Sequence, residues 1–253
     1  FQLLSPLIFL VFAGGFLMLW RHARDLHALR WFALSYFIGY CAMISDFLRV
    51  LMYPWFASAL ISLLYLGTTV TFCAGLYSLY GRRVPWRGMI AAAAAIFTLF
   101  CWFLSRSDVI LWTIWCINGG IDALFAHTQW SLRDTISRPI DRAVQVVVAA
   151  STSLLLVRTG VVLWFGGGAI SNATYAGSAL AVTLQMFVSV AALAVAGVLF
   201  VLFGMEIVHR LTETSESDPL TGVLNRRGLE NRLASTVRDG PAGPAIHAVV
   251  MAD

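Results

Sequence analysis

Long apolar stretches, broken only by short polar clusters, run from the start of the chain to about residue 205. A helix that crosses a bilayer needs about 17–25 predominantly apolar residues. Seven stretches of this kind are predicted as spans: residues 3–20, 31–53, 56–80, 89–104, 109–130, 143–166 and 177–205. The fourth, at about 16 residues, is the shortest and weakest. Beyond the seventh the pattern changes. Residues 206–217 are polar and helix-compatible, and are expected to carry the seventh span onward as a short helical stalk. From Asp218 an apolar-periodic segment (Leu224, Leu229, Leu233, Val237) leads into a Gly/Pro loop at 239–244 and an apolar run that stops at Asp253. That order reads helix, turn, buried strand. The expected architecture is an all-α polytopic bundle of seven transmembrane helices over residues 1–205, the stalk at 206–217, and the truncated start of an α/β domain at 218–253.

Composition fits this pattern: 59% of the 253 residues are hydrophobic and only 12% charged, against roughly 25% charged in a soluble domain. The charges orient the bundle, because short cytoplasmic loops are enriched in basic residues. Arg21, Arg24 and Arg30 follow the first span, Arg82, Arg83 and Arg87 the third, Arg133, Arg138 and Arg142 the fifth, and Arg210 the seventh. The opposite loops hold Arg106 alone, so the N-terminus is expected outside and the C-terminus in the cytoplasm. Trp20, Trp31, Trp55, Trp86, Trp130 and Trp164 fall near span ends, where aromatic rings seat at headgroup level. All 17 basic residues are Arg, which leaves a Schiff-base chromophore no lysine and excludes a retinal photoreceptor. Cys41, Cys73, Cys101 and Cys116 all lie inside apolar spans and form no CxxC or disulfide pattern. No basic segment precedes the first span, which argues against a cleaved signal peptide. The chain reads as cut from a longer protein at both ends, since it begins at Phe1 and stops directly after the strand-like run.

Residues 218–233 read DPLTGVLNRRGLENRL. Pro219 interrupts the incoming helix and biases Asp218 away from the α region, so the stalk should end there. Thr221 or Asp218 can cap the following helix, Gly222 permits a tight backbone, and Asp218 can pair with Arg226 or Arg227. This segment resembles the opening of a GGDEF domain, the diguanylate cyclase fold, whose first turn is DxLTGLxNRR. Asp218, Leu220, Thr221, Gly222, Leu224, Asn225, Arg226 and Arg227 match, and Val223 replaces the commoner Leu. These residues position and transmit rather than catalyse. The resemblance covers about 36 residues, roughly the first fifth of such a domain, and no catalytic residue is expected within them. It implies that the run from Ile246 to Asp253 is the family's first strand and that Asp253 is a ligand of Mg²⁺ (or Mn²⁺). A carboxylate at the end of a buried strand suits a hard cation that bridges phosphate oxygens.

The same resemblance implies a membrane sensor diguanylate cyclase. Two GTP molecules would be joined into cyclic di-GMP with release of pyrophosphate, each 3′-hydroxyl attacking the other's α-phosphate. Each protomer holds one GTP, so the enzyme is expected to be a homodimer, paired through the seventh span and stalk and set in a bacterial inner membrane with its GGDEF domain in the cytoplasm. The expected partners are GTP, the lipid bilayer and an unknown small ligand, with no nucleic acid polymer. An alternative is a catalytically degenerate GGDEF module that binds or relays, alone or ahead of a cyclic di-GMP phosphodiesterase domain. A transporter is disfavoured, because it gives no reason for the stalk and motif, and Gly166–Gly168 sit at a span end instead of breaking a helix at the midplane.

Polar groups inside spans are costly and are functional candidates. Counted inward at about 1.5 Å per residue, Asp46, Asn118, Arg158 and Gln185 lie at one level, about 10–14 Å from the outer ends. Asp46 and Arg158 are expected to pair across the bundle. Two readings of the group stand: an outward-facing pocket for a small ligand, or a structural ion pair with hydrogen-bonded neighbours. Asp122 lies nearer the cytoplasmic half with no assigned partner. His22, His27, His127 and His209 gather toward the cytoplasmic face, but their spacing sets no two of them face to face for a metal.

Overall fold

The computed structural model describes residues 4–106, 111–166, 179–216 and Leu229. Among these residues there is helix but no strand. The long helices, in chain order, are α1 (Leu4–His22), α2 (Ala28–Phe47), α3 (Pro54–Leu79), α4 (Trp86–Arg106), α5 (Leu111–Leu132), α6 (Pro139–Gly166) and α7 (Ala179–Glu216). Two 3₁₀ turns, Leu48–Leu51 and Arg133–Thr135, follow α2 and α5. The α/β segment expected at 218–253 lies outside the described residues, apart from Leu229. The chain divides by its contacts into two units, Phe1–Phe200 and Val201–Asp253.

Local chemistry explains the ends of several helices. Tyr53 is extended, as a residue before proline must be, and Pro54 opens α3 at a position where a missing N–H costs nothing. At the far end of α3, Gly81 adopts a φ of 64°. Its N–H donates to Ser78 O at 3.2 Å and that of Arg82 to Tyr77 O at 2.9 Å, a pairing that satisfies the last carbonyls and needs a residue without a Cβ. Pro139 opens α6, and Asp141 reaches back to accept the Arg138 N–H at 3.2 Å.

Six of the helices are long and apolar enough to cross a membrane: α1, α2 with its 3₁₀ turn, α3, α4, α6 and α7. Helix α5 is long enough at 22 residues but is less apolar, and its buried face shows why. Thr113, Asn118, Asp122 and Thr128 are all buried, on a helix that packs against α3, α4 and α6. A helix enclosed on several sides can carry polar groups inward and need not present an apolar surface all round.

The unit Phe1–Phe200 is held by two apolar assemblies. One is aromatic: Phe16, fully buried, lies 4.6 Å from the Phe200 ring, 5.4 Å from Tyr36 and 5.8 Å from Phe32, centroid to centroid. These tilted arrangements are the favoured ones for ring quadrupoles. The other joins α3, α4 and α5 through Leu66, Phe100, Leu104, Ile117, Ile121 and Leu124. Outside these cores the helices remain apolar, with Val11, Met18, Leu63, Trp102, Val157 and Val190 more than half exposed. Apolar surface on this scale suits a protein whose solvent is lipid. In the second unit, Arg210 pairs with Glu206 one turn away at 2.9 Å.

Candidate functional site

Asp46 sits one residue before the end of α2. The 3₁₀ turn that follows brings Arg49 back over it, and the Arg49 Nε meets Asp46 Oδ1 at 3.0 Å. Gln185 of α7 donates through Nε2 to Asp46 Oδ2 at 2.7 Å. A terminal Arg49 nitrogen donates to Ser58 Oγ of α3 at 3.3 Å. One carboxylate thus ties α2, α3 and α7 together. The Asp46 and Arg49 side chains are only 9% and 11% exposed, so neither charge is left to water, and charge-assisted bonds replace hydration.

Sequence reasoning placed Asp46 and Gln185 together, and the structure brings them into direct contact. The partner expected for Asp46 is corrected. Its ion pair is with Arg49, three residues along the chain, and not with Arg158 across the bundle. The cause is local: the 3₁₀ turn folds Arg49 inward. Arg158 of α6 is buried and donates to Thr183 Oγ1 of α7. Asn118 of α5 donates through Nδ2 to Thr159 Oγ1 of α6 at 2.9 Å. The four expected pocket residues therefore make three separate links, two of which end on α7.

Beside Asn118 lies a cavity of about 170 Å³, lined from α1, α2, α3, α5, α6 and α7. Phe9, Tyr36, Phe72, Phe125 and Phe187 supply aromatic walls, and Asn118 is the one member of the expected pocket that lines it. A smaller cavity of about 60 Å³ lies beside Arg49, Ser58, Ser62 and Thr113. Tyr65, Asn118 and Leu184 line both, and the smaller cavity has the larger polar share. Sequence reasoning missed Arg49, Tyr36 and Tyr65. The spacing of Asp46 and Arg49, three residues apart, was the signal available for the first. The tyrosines offered none, since a Tyr in an apolar helix reads as ordinary core.

Asp122 is buried, and neither carboxylate oxygen has a hydrogen-bond partner among the described residues. Among the described residues, no group of three His, Cys, Asp or Glu side chains gathers in a metal-binding arrangement. His22 instead lies with its Nδ1 2.9 Å from the Met18 carbonyl of its own helix. The residues expected to open the GGDEF domain, Asp218, Leu220, Thr221, Gly222, Asn225, Arg226 and Arg227, and the expected metal ligand Asp253, lie outside the described residues.

No protein-family model matches the chain, and neither the curated proteins nor the solved structures contain a match to it.

Proposed function

We propose that the chain is the sensory part and cyclase opening of a membrane-bound diguanylate cyclase, which makes cyclic di-GMP and pyrophosphate from two GTP under control of the helical bundle. The observation that carries this reading is the segment DPLTGVLNRR at 218–227, set directly behind a long apolar helix. Helix α7 supports it, since it continues past the apolar stretch as far as Glu216, two residues ahead of the motif. A continuous helix that leads from the bundle to a nucleotide-binding domain is suited to pass on a change in packing.

In this reading α5 crosses the bilayer as a seventh span: its 22 residues are about 33 Å long at 1.5 Å per residue, and its polar groups are turned inward. The arginine-rich loops then all face the cytoplasm. Asp253 would hold Mg²⁺ or Mn²⁺, a cation that would neutralise charge on the transferring phosphoryl group. Two protomers pair along α7 and the stalk, so that each domain presents one GTP to the other.

The test is a cyclic di-GMP assay on the protein with its cyclase domain complete, in membranes with GTP and Mg²⁺, beside Asp253→Ala. Product from the parent and a loss of at least about a hundredfold in the variant are expected, as for removal of a metal that stabilises the transition state. GTP binding without product from either protein would make the module a receptor or relay.

A further inference from the structure

Charge and hydrogen bonding in the larger cavity restrict what it can hold. No charged side chain lines it among the described residues. Most of its hydroxyl protons are already committed. Tyr36 Oη donates to the Ala192 carbonyl at 2.7 Å and Ser35 Oγ to the Thr68 carbonyl at 2.9 Å. Thr68, Thr69 and Thr152 donate to carbonyls of their own helices. A hydroxyl that has given up its proton can still accept. The lining is therefore rich in acceptors and poor in donors, and Ser151, which makes no hydrogen bond among the described residues, is its one uncommitted hydroxyl.

Asn118 adds the most directional acceptor. Thr159 spends its single proton on the Leu155 carbonyl at 2.8 Å, so its oxygen must accept from Asn118. That sets the amide with Nδ2 on Thr159 and leaves Oδ1 and the second Nδ2 hydrogen without a partner among the described residues. An anion would find only a neutral hydroxyl and one amide N–H and no positive charge in such a site, and a cation no carboxylate. A neutral molecule that carries an O–H finds acceptors.

Size narrows the class further. A sealed apolar cavity of about 150 Å³ accommodates one benzene ring; this cavity is partly open, and its inner volume of about 170 Å³ gives room for one such ring. The surrounding Phe and Tyr rings favour an aromatic guest through edge-to-face contact. We propose that the cavity is a binding site for a neutral, single-ring aromatic molecule bearing a hydroxyl donor, a phenol in chemical class, with its hydroxyl on Asn118 Oδ1. Six lining residues, from Leu184 to Val195, belong to α7, so the guest would bear directly on the helix that leads to the stalk. Binding stands without the cyclase reading; its role as input to an enzyme rests on that reading.

The experiment uses the protein in lipid nanodiscs and the ¹⁹F resonances of 4-fluorophenol, fluorobenzene and 4-fluorobenzoate, with empty nanodiscs to subtract partitioning into lipid. Saturable binding of 4-fluorophenol is expected, with fluorobenzene about tenfold weaker for lack of one hydrogen bond and 4-fluorobenzoate not bound. Ala191→Phe, which fills the chamber, should abolish binding. Asn118→Leu should reduce the preference for the phenol over fluorobenzene to less than about twofold. Absence of saturable phenol binding, equal binding of the benzoate, or unchanged binding in a folded Ala191→Phe would overturn the proposal. If circular dichroism shows Ala191→Phe unfolded, Asn118→Leu decides, and a retained phenol preference overturns the assignment of the hydroxyl. Phenol binding that leaves cyclic di-GMP output unchanged would detach the site from the cyclase reading without touching the site.

Discussion

Asp46 joins a local ion pair to a link across helices. Its two oxygens hold Arg49 and Gln185, and Arg49 in turn reaches Ser58. Asp46→Ala would leave a largely buried guanidinium and an amide without their acceptor. Breaking one side of a buried pair costs about 3–5 kcal/mol, and the expected loss is read as a lowered melting temperature in detergent or nanodiscs. Two adjacent glycines give a sharper comparison. A Cβ on Gly120 would stand 2.6 Å from Ile96 Cγ2, whereas one on Gly119 would meet nothing within 4 Å. Gly120→Ala is therefore expected to destabilise by about 1–3 kcal/mol as α4 and α5 are forced apart. Gly119→Ala should hold or gain up to about 1 kcal/mol through helix propensity. Equal melting temperatures for the two variants would contradict the close approach of those helices.

Among the elements, α5 departs furthest from a simple apolar span. Its Asp122 is buried with neither oxygen hydrogen-bonded among the described residues, an arrangement that works against stability. Asp122→Leu is expected to raise stability by about 1–3 kcal/mol, measured by the same thermal unfolding; a lower melting temperature would mean that the carboxylate has a structural partner. Helix positions were legible in the sequence because hydropathy reports them directly. The expected 31–53 takes in α2 from Trp31 onward and its turn, and 143–166 lies within α6. Errors fall at polar ends: α4 starts at Trp86, ahead of the expected 89, because Arg87 and Gly88 are helical despite their polarity. Side-chain partners were far less legible. Depth along a helix follows from counting, which is why Asp46 and Gln185 were grouped correctly. Rotation about the axis and the inward fold of the Leu48–Leu51 turn depend on packing, which is why Arg49 and not Arg158 became the ion partner.

For the whole molecule the decisive quantity is where apolar surface ends. Trp112, Val146 and Met186 are more than half exposed, as are many aliphatic residues on the same helices, so lipid must supply their surroundings. The proposed orientation places Arg82 and Tyr53, 83% exposed, on opposite sides of the membrane. In a background with the four native cysteines replaced, Arg82→Cys should react with an impermeant maleimide only in inside-out vesicles. Tyr53→Cys should react only from the outside of intact cells. Labelling of both from one side would remove the proposed topology.

Helix α3 has one further mechanical property. Thr68, Thr69 and Thr71 turn their hydroxyls onto the carbonyls of Leu64, Tyr65 and Gly67, and the Thr68 carbonyl also receives Ser35 and Thr71. Hydroxyls that share a carbonyl with the helix ladder loosen it and favour a bend. This turn also forms part of the cavity wall, through Tyr65, Thr68 and Thr69. The wall thus contains a turn disposed to bend where a guest would press, while Asp46 ties three helices together a short way along.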